Sequence, residues 1–299
     1  MDFTEYLFSL FGATVIKNES MKKHTTTATG GNCDFFVTVY CLKALRDVID
    51  GCLEYGVDYK IIGNGTNLVF SDKGYNGVII SLKGLTAMRC ENNLVYAMGG
   101  VSLCDLVLFS AEFGLYGAEP LVGIPATVGG ATVMNAGAFG KTTADFINRV
   151  VTLKDGKTCY YEKEECQFGY RTSRFLGANE PIVSVTFEFE KGNYSKEDRQ
   201  KIIDKCRNTR RGSQPLGKSC GSVFKNPPND YAGRLIESVG LRGFSLGEVS
   251  VSSKHANFIN VSKNATSTQV YNLVKYVQDK VYSEFGILLE QEVEFVGDF

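Results

Sequence analysis

The spacing of apolar residues predicts two amphipathic helices. Apolar side chains recur with a period near 3.6 residues over 41–55, before Gly56, and over about 268–285, before Gly286. This period gives a helix one buried face, and a glycine after the last turn permits a left-handed exit. We therefore predict that both segments are helices packed against a core.

Serine residues mark the start of two other predicted helices. Ser102 can accept hydrogen bonds from the first backbone N–H groups of a helix that runs to Phe113. Ser195 and Asp198 stand in a capping-box pattern, which predicts a charged helix to about Arg211. We expect the chain to enter another domain near this second helix.

Alternating or β-rich segments predict strands. Asp155-Gly156 tolerates the positive φ of a tight hairpin, so strands are expected on both sides of it. In the last segment Glu290, Glu292 and Glu294 alternate with apolar or amide residues, which by pattern alone favours an exposed acidic face of a strand. The predicted strands are 59–62, 77–82, 149–154, 157–161, 183–189 and 287–296.

Composition narrows the class of protein. The chain has 299 residues, 43% of them hydrophobic, which is enough for a large core and two or three domains. Lys and Arg number 32 against 33 Asp and Glu, for a net charge of −1. This balance gives no general attraction to nucleic acid or to an anionic membrane. We expect neither as a partner, and no oligomeric state follows from the sequence.

The cysteines and the N-terminus bear on location. Nine cysteines are scattered without a C-x-x-C pair, and the chain has only two histidines. We therefore expect reduced, mostly structural thiols and no metal site. Residues 1–20 begin with acidic rather than basic side chains, and their apolar stretch is short and interrupted. We infer a cytoplasmic location.

A first glycine-rich segment, Gly63-Asn64-Gly65-Thr66-Asn67, follows a predicted strand. Glycines let backbone N–H groups converge on phosphate oxygens, which suits a dinucleotide. The segment is not a Rossmann fingerprint, because the third glycine is absent and a strand follows instead of a helix. A simple tight turn is an equally good interpretation of these residues alone.

A second glycine-rich segment spans Gly123–Gly140 and interleaves five glycines with small and apolar residues. Such backbone admits a flat ligand and a diphosphate at close range. The alternative is a glycine-rich core crossing between strands.

These segments resemble the UDP-N-acetylenolpyruvoylglucosamine reductase family, whose signatures include G-x-G-S-N and G-I-P-G-T-V-G-G-A…M-N-A-G-A-[YF]-G. Thr66 replaces the usual serine and Ala126 replaces the second glycine of G-I-P-G-T, which leaves the contacts of the flavin pocket open there. The matches span about residues 25–296 and begin with His24-Thr25…Gly30-Gly31. The later matching segments are Gly169–Phe175, Gly221–Pro227, Ala232–Glu237, Lys254–Asn260 and Leu289–Val293.

The resemblance implies an α+β fold. It consists of a two-part FAD-binding domain of the vanillyl-alcohol-oxidase (PCMH) type and a C-terminal α+β substrate-binding domain. We assign FAD-binding subdomain 1 to residues 1–82, FAD-binding subdomain 2 to 83–193 and the substrate-binding domain to 194–299.

The resemblance also implies noncovalent FAD, with NADPH as the reductant. NADPH is expected to use the same site as the substrate in turn, since no second nucleotide fingerprint is present. The residues expected to bind FAD are Gly63, Asn64, Gly65, Thr66, Asn67, Gly123, Ile124, Pro125, Thr127, Gly129, Gly130, Asn135, Ala136 and Gly137.

By motif match, three residues carry the chemistry. Arg171 is expected to pair with the substrate carboxylate, Glu292 to donate a proton or hydrogen bond to developing charge, and Ser222 to protonate carbon. Without the motif, Arg171 reads equally well as a surface arginine, and Ser222 reads better as a turn serine. We also expect Tyr170, Lys225 and Asn226 to contact the sugar or diphosphate, whereas His255 is given no catalytic role.

The implied function is the FAD-dependent, NADPH-driven reduction of UDP-N-acetylglucosamine enolpyruvate to UDP-N-acetylmuramate, a step of peptidoglycan precursor synthesis. One alternative is a flavin oxidase of the same fold that acts on an alcohol or sugar and does not need Ser222. Another is a binding or scaffold protein without flavin, which a yellow colour would exclude.

Overall fold

The computed structural model describes residues 1–192 and 194–299, which mix helices and strands along the chain. The helices are α1 (Phe3–Ser9), α2 (Leu42–Glu54), α3 (Leu103–Glu112), α4 (Val128–Val133), α5 (Lys196–Ser213), α6 (Ala232–Ser238) and α7 (Ser267–Phe285). The strands are β1 (Ala13–Ser20), β2 (Asn32–Val39), β3 (Tyr59–Ile62), β4 (Leu68–Phe70), β5 (Tyr75–Ser81), β6 (Met88–Glu91), β7 (Leu94–Met98), β8 (Leu115–Tyr116), β9 (Gly137–Ala138), β10 (Lys141–Thr142), β11 (Ile147–Lys154), β12 (Lys157–Glu162), β13 (Ile182–Glu188), β14 (Glu190–Lys191), β15 (Ser245–Leu246), β16 (Val249–Val251), β17 (Ile259–Val261) and β18 (Glu294–Val296).

The helices predicted from periodicity and caps are confirmed. Ser102 Oγ accepts the backbone N–H of Asp105 at 3.4 Å and caps α3. Ser195 Oγ accepts the N–H of Asp198 at 3.1 Å at the start of α5. Helix α7 ends at Gly286, whose φ is +66°. Local side-chain and backbone chemistry therefore determined where these helices begin and end.

The predicted hairpin is also confirmed. β11 and β12 pair antiparallel, and Asp155 and Gly156 between them have φ values of +49° and +69°. Two successive positive φ values are those of a type I′ turn, whose twist matches that of the flanking strands.

The segment before β18 corrects one prediction. Alternation predicts a strand over 287–296, but the strand covers only Glu294–Val296. The Val223 carbonyl accepts hydrogen bonds from both Glu292 N, at 2.8 Å, and Val293 N, at 3.3 Å. Because two successive N–H groups converge on one acceptor, no regular ladder forms here. The three glutamates of this segment therefore do not share one strand face.

The described residues form two compact units, each assembled from separate stretches of chain. Unit 1 comprises 1–17, 35–64 and 77–209, and unit 2 comprises 18–34, 65–76 and 210–299. The units are defined by contacts between residues, whereas the predicted domains are continuous stretches of sequence. The predicted domain ranges therefore stay a prediction. The predicted boundary after residue 193 falls at Asn193, which lies outside the described residues.

Unit 1 contains two apolar cores. The first lies between the antiparallel sheet β12-β11-β13-β7-β6 and the helices α3 and α4. The second lies under α2, on the sheet ordered β1-β2-β5-β3, in which β3 and β5 are parallel. Helix α4 lies within the second glycine-rich segment and packs against strand β13 of the first core. The fully buried side chains at the two centres include Leu103, Leu106, Phe187, Leu45, Val48 and Ile80.

Unit 2 has its core on one face of α7. Val270, Leu273, Val274, Val277 and Val281 are buried there, against α6 and the sheet β15-β16-β17. Burying each such side chain contributes roughly 1.5–3 kcal/mol, so this face stabilises the unit. The short strands β4 and β18 pair in parallel within the same unit. This core supports the backbone that carries residues 220–224 and 289–293.

Four of the nine cysteine thiols are buried. All nine cysteines are free. Burial raises the pKa of the Cys33, Cys52, Cys166 and Cys220 thiols to about 12. Because the thiolate is the reactive form, these four thiols are poor nucleophiles.

Within residues 1–192 and 194–299, no helix combines the length and the apolar character needed to cross a membrane.

Candidate active site

Arg171 lies in a tight turn of unit 1. The backbones of Gly169 and Thr172 exchange hydrogen bonds of 3.1 and 3.4 Å, which places Tyr170 and Arg171 at the tip. Arg171 has a φ of +55°. A left-handed conformation is uncommon for a non-glycine residue, and such residues concentrate at functional sites.

This turn is anchored to the second glycine-rich segment. Asn135 is buried, donates from Nδ2 to the Gly169 carbonyl at 2.9 Å and accepts the Ala144 N–H at 3.0 Å. Arg171 Nη2 donates to the Gly137 carbonyl at 3.3 Å, and its guanidinium lies 5.2 Å from the centre of the Tyr170 ring. Unit 1 therefore brings four sequence-predicted residues together: Asn135, Gly137, Tyr170 and Arg171.

The start of the first glycine-rich segment lies against the second segment in unit 1. Asn64 Nδ2 donates to the Pro125 carbonyl at 2.9 Å. A Cβ at Gly63 would come within 2.2 Å of Thr127 Oγ1, an oxygen that also accepts the Gly130 N–H at 3.2 Å and caps α4. Glycine at residue 63 therefore allows the Thr127 side chain to pack directly against this turn.

The remaining predicted cofactor positions of unit 1 follow the same principle. A Cβ at Gly129 would lie 3.1 Å from the Gly99 carbonyl oxygen, and a Cβ at Gly137 would lie 2.7 Å from that of Lys141. The Ala136 carbonyl accepts both hydrogen bonds of Thr143, each at 2.8 Å. Glycine at these positions therefore lets the segment pack closely on neighbouring backbone. That these residues bind FAD stays a prediction.

The backbone segments that carry Ser222 and Glu292 are adjacent in unit 2. Ser222 forms an antiparallel bridge with Phe258, and the Val223 carbonyl accepts the Glu292 N–H at 2.8 Å. Both residues are half-buried. Backbone hydrogen bonds on either side of Val223 therefore fix the register of the serine relative to the glutamate.

The end of the first glycine-rich segment belongs to unit 2. A Cβ at Gly65 would lie 2.0 Å from the His24 carbonyl oxygen, and Thr26 Oγ1 donates to the Thr66 carbonyl at 3.5 Å. Asn67 Nδ2 donates to the Glu292 carbonyl at 2.8 Å. A residue predicted to bind FAD thus holds the backbone of the predicted catalytic glutamate.

The predicted substrate residues of unit 2 have partners of their own. Lys225 N donates to the Glu290 carbonyl at 2.8 Å, and Lys225 Nζ pairs with Glu290 Oε1 at 2.7 Å. Asn226 Oδ1 accepts the Ala232 N–H at 3.1 Å, at the start of α6. The Glu290 side chain is 70% exposed, and such a pair contributes only about 0–1 kcal/mol. A ligand phosphate can therefore compete for the lysine.

Arg171 lies in unit 1, whereas Ser222, Glu292, Lys225 and Asn226 lie in unit 2. Asn257 lies next to the serine segment in unit 2, and no role for it was predicted from the sequence. Asn257 stands between Ala256 and Phe258 in an apolar segment, and a buried amide must be hydrogen-bonded. That pattern is the signal that would have singled it out.

Among the described residues, no group of three or more His, Cys, Asp and Glu side chains could hold a metal ion.

Comparison with known proteins decides the family. Residues 214–296 match the family model for the UDP-N-acetylenolpyruvoylglucosamine reductase C-terminal domain, and residues 33–159 match that for an FAD binding domain. The UDP-N-acetylenolpyruvoylglucosamine reductase of Anoxybacillus flavithermus is 38% identical over 95% of this chain and 95% of its own length. Reductase 2 of Bacillus cereus is 36% identical over 98% of this chain and 97% of its own. The chain belongs to the UDP-N-acetylenolpyruvoylglucosamine reductase family.

Solved structures agree with membership of this reductase family. The UDP-N-acetylenolpyruvylglucosamine reductase of Thermus caldophilus superposes with a TM-score of 0.81 at 32% identity, over 95% of this chain and 99% of the other. BBE-like 1 of Physcomitrella patens superposes with a TM-score of 0.58 at 11% identity, over 95% of this chain and 89% of its own. This second likeness shows the fold alone. The expected α+β fold, with an FAD-binding part and a reductase-family C-terminal domain, is confirmed, and the chain is an FAD-dependent oxidoreductase.

Proposed function

We propose that this chain reduces the enolpyruvyl double bond of UDP-N-acetylglucosamine enolpyruvate to give UDP-N-acetylmuramate, with FAD as cofactor and NADPH as reductant. The observation that carries the proposal is the backbone hydrogen bond from Glu292 to Val223, the residue next to Ser222, in a chain of this family. Adding hydrogen across a double bond conjugated to a carboxylate requires a proton donor for carbon and a donor for the developing charge. A hydroxyl and a carboxyl group meet these two needs.

The reaction places negative charge on the substrate carboxylate. When bound, FAD supplies a hydride, taken from NADPH, to the terminal methylene carbon of the substrate. The resulting enolate-like charge is stabilised by preorganised donors, each worth roughly 3 kcal/mol in a dry site. Arg171 supplies one such group, because its guanidinium forms two parallel hydrogen bonds with a carboxylate.

Glu292 supplies a second donor. It donates to the developing charge only while its carboxyl group carries its proton, which removal from water favours. The hydrogen bond from Asn67 to the Glu292 carbonyl holds its main chain in place while the side chain acts.

Ser222 completes the reaction by giving its hydroxyl proton to the carbon that bears the carboxylate. A hydroxyl is a weak acid in water, but a carbanion-like carbon held in contact is basic enough to take that proton. Water then returns a proton to the serine oxygen.

The substitution Ser222→Ala tests this assignment. We expect NADPH-driven flavin reduction to stay near the wild-type rate, because that half-reaction does not protonate carbon. Flavin reoxidation by the enolpyruvyl substrate is expected to slow by roughly 100-fold or more. Stopped-flow absorbance of the flavin measures both half-reactions separately. Ser245→Ala, an exposed serine of β15, is the matched control and should leave both rates unchanged.

Two outcomes would contradict the proposal. Equal loss of both half-reactions in Ser222→Ala would remove the serine from the protonation step. Rapid reoxidation of the reduced wild-type enzyme by dioxygen, with no reaction of the enolpyruvyl substrate, would instead support the flavin oxidase alternative.

We infer that the reaction takes place in the cytoplasm. Free, buried cysteines are typical of a reducing compartment. The nucleotide sugar is the small-molecule partner that this function requires.

A further inference from the structure

A buried asparagine holds the segment that begins at Ser222. Asn257 is 4% exposed, its Oδ1 accepts the Phe224 N–H at 3.0 Å and its Nδ2 donates to the Phe224 carbonyl at 2.8 Å. The Asn257 main-chain carbonyl accepts the Val223 N–H at 2.9 Å. One residue thus makes three hydrogen bonds to the two residues that follow the serine.

The opposite edge of this segment is bonded to the chain that carries Glu292. The Val223 carbonyl accepts the Glu292 N–H at 2.8 Å, and Lys225 N donates to the Glu290 carbonyl at 2.8 Å. The serine segment therefore lies between Asn257 on one edge and the glutamate chain on the other. A shift of Asn257 would change the distance between the two functional groups.

Only a carboxamide of this length satisfies the local backbone. Phe224 is 2% exposed, so its N–H and carbonyl have little access to water. Asparagine offers one acceptor and two donors in one plane, whereas ionised aspartate offers acceptors alone and would face the Phe224 carbonyl. A buried polar group without a hydrogen-bond partner destabilises the fold, so the Asn257 side chain stays bonded to the Phe224 backbone.

Asn257 is itself held by its neighbour His255. The Asn257 N–H donates to His255 Nδ1 at 3.2 Å, which requires that ring nitrogen to be unprotonated. The His255 ring packs edge-on against Phe258, with the ring centres 4.9 Å apart. Asn257 is thus hydrogen-bonded to a histidine that packs against Phe258, the residue that forms the antiparallel bridge with Ser222.

We propose that Asn257 is a positioning residue that fixes the Ser222 hydroxyl for proton transfer to the substrate. The proposal rests on the proposed function, because it needs the protonation step assigned there to Ser222. Proton transfer to carbon demands contact between the reacting atoms, and a displacement of about 1 Å can cost roughly 100-fold in rate.

The test uses the FAD-loaded enzyme with Asn257→Asp, which keeps the side-chain shape but removes the donor to Phe224. We expect flavin reoxidation by UDP-N-acetylglucosamine enolpyruvate to slow by about 30- to 100-fold. We expect flavin content, the flavin absorbance spectrum and NADPH-driven reduction to stay near wild type. Asn257→Ser, whose shorter side chain cannot replace both hydrogen bonds to Phe224, is the second variant and should show the same split.

A double-mutant cycle separates positioning from general support of the fold. Because Asn257 acts through the serine, Asn257→Asp should slow reoxidation by less than about threefold when Ser222 is already alanine. An equal slowing in both backgrounds would overturn the proposal. Loss of flavin binding in both Asn257 variants would also overturn it, because the residue would then merely hold the fold.

Two control variants complete the design. Val274→Ala removes a buried side chain from α7 and should lower the melting temperature without favouring either half-reaction. Asn264→Ala, in an exposed turn of the same unit, should change neither stability nor rate.

If Ser222→Ala is slow but Asn257→Asp reoxidises at the wild-type rate, the positioning role fails and the proposed function stands. If Ser222→Ala itself reoxidises normally, the protonation step of the proposed function fails.

Discussion

In unit 1, Thr127 of the second glycine-rich segment packs against the start of the first. Thr127 Oγ1 caps α4 and at the same time occupies the space where a side chain at Gly63 would lie. One threonine oxygen therefore links the helix start to the turn after β3. Both contacts depend on the absence of a Cβ at residue 63.

Gly63→Ala is expected to destabilise the enzyme. The added methyl group would displace Thr127 or the turn, at a cost of roughly 1–3 kcal/mol. The melting temperature should fall, and the affinity for FAD should fall with it. Fluorescence-monitored unfolding and flavin titration of the apoprotein would measure both.

Gly212→Ala is the matched control for that change. A Cβ at Gly212 meets nothing within 4 Å and the residue lies in α5, so alanine should be neutral or slightly stabilising. An unchanged melting temperature for Gly63→Ala would show that the turn moves without cost.

At this scale the sequence predicted residue types better than their partners. Ser222 and Glu292 are prominent because they stand in matching motifs. Asn257 also stands in a matching segment, Lys254–Asn260, but its role was not predicted, because its partner Phe224 lies 33 residues earlier in the chain. The left-handed backbone of Arg171 was not predicted either, because a sequence indicates a positive φ mainly at glycine, asparagine and aspartate.

Elements whose signals are local were predicted well. The helices α2, α3 and α7 and the hairpin of β11 and β12 follow from periodicity, caps and turn residues that lie within each element. The segment 287–296 was predicted wrongly as one strand, because its backbone partners come from distant parts of unit 2. Alternation of side chains cannot report such partners.

Helix α7 depends on a carboxylate from a distant segment. Asp72 accepts hydrogen bonds from the backbone N–H groups of Ser267 and Thr268, at 3.0 and 2.8 Å, and from the Thr268 hydroxyl. Burial raises the pKa of Asp72, but these hydrogen bonds outweigh burial and hold it below its usual range. A negative charge at this end also complements the helix dipole.

The Asp72 contribution to stability should disappear in acid. Because the folded pKa lies below the unfolded value of 3.8, the contribution is present above that pH and is lost as the pH falls through the folded pKa. Asp72→Asn is expected to be less stable than wild type at pH 7, by roughly 0.3–1 kcal/mol. The difference should shrink towards zero in acid.

Denaturant unfolding at several pH values measures this difference. Asp279→Asn, an exposed carboxylate on the same helix, serves as the control and should show no such pH-dependent gap. A constant gap between Asp72→Asn and wild type across the acid range would contradict the proposed charge effect.

At the scale of the whole molecule, the sequence predicted the fold class but not the division into units. The α+β class and the FAD-binding part are confirmed. Unit 2, however, takes two short pieces from the N-terminal third of the chain, 18–34 and 65–76. Composition and periodicity report order along the chain, and neither shows which separate stretches pack into one unit.

We expect the flavin to be released chemically unchanged when the protein is denatured. A noncovalent cofactor is released when its site unfolds, so acid precipitation should leave all yellow colour in the supernatant. Absorbance of the supernatant and of the redissolved pellet measures the split. Colour retained by the pellet would indicate a covalent link and contradict the expectation.

Adding free FAD should raise the melting temperature of the apoprotein, because a ligand that binds only the folded state stabilises it.

The contact of Asp72 with α7 has a consequence for biosynthesis. As the ribosome extends the chain, residues 18–34 and 65–76 emerge long before 210–299, the stretch they pack with. These two stretches cannot pack until nearly the whole chain has been translated. Contacts between residues so distant in sequence also form slowly. A nascent or prematurely terminated product therefore exposes unpaired strand edges, and it is the species on which chaperones and proteases would act.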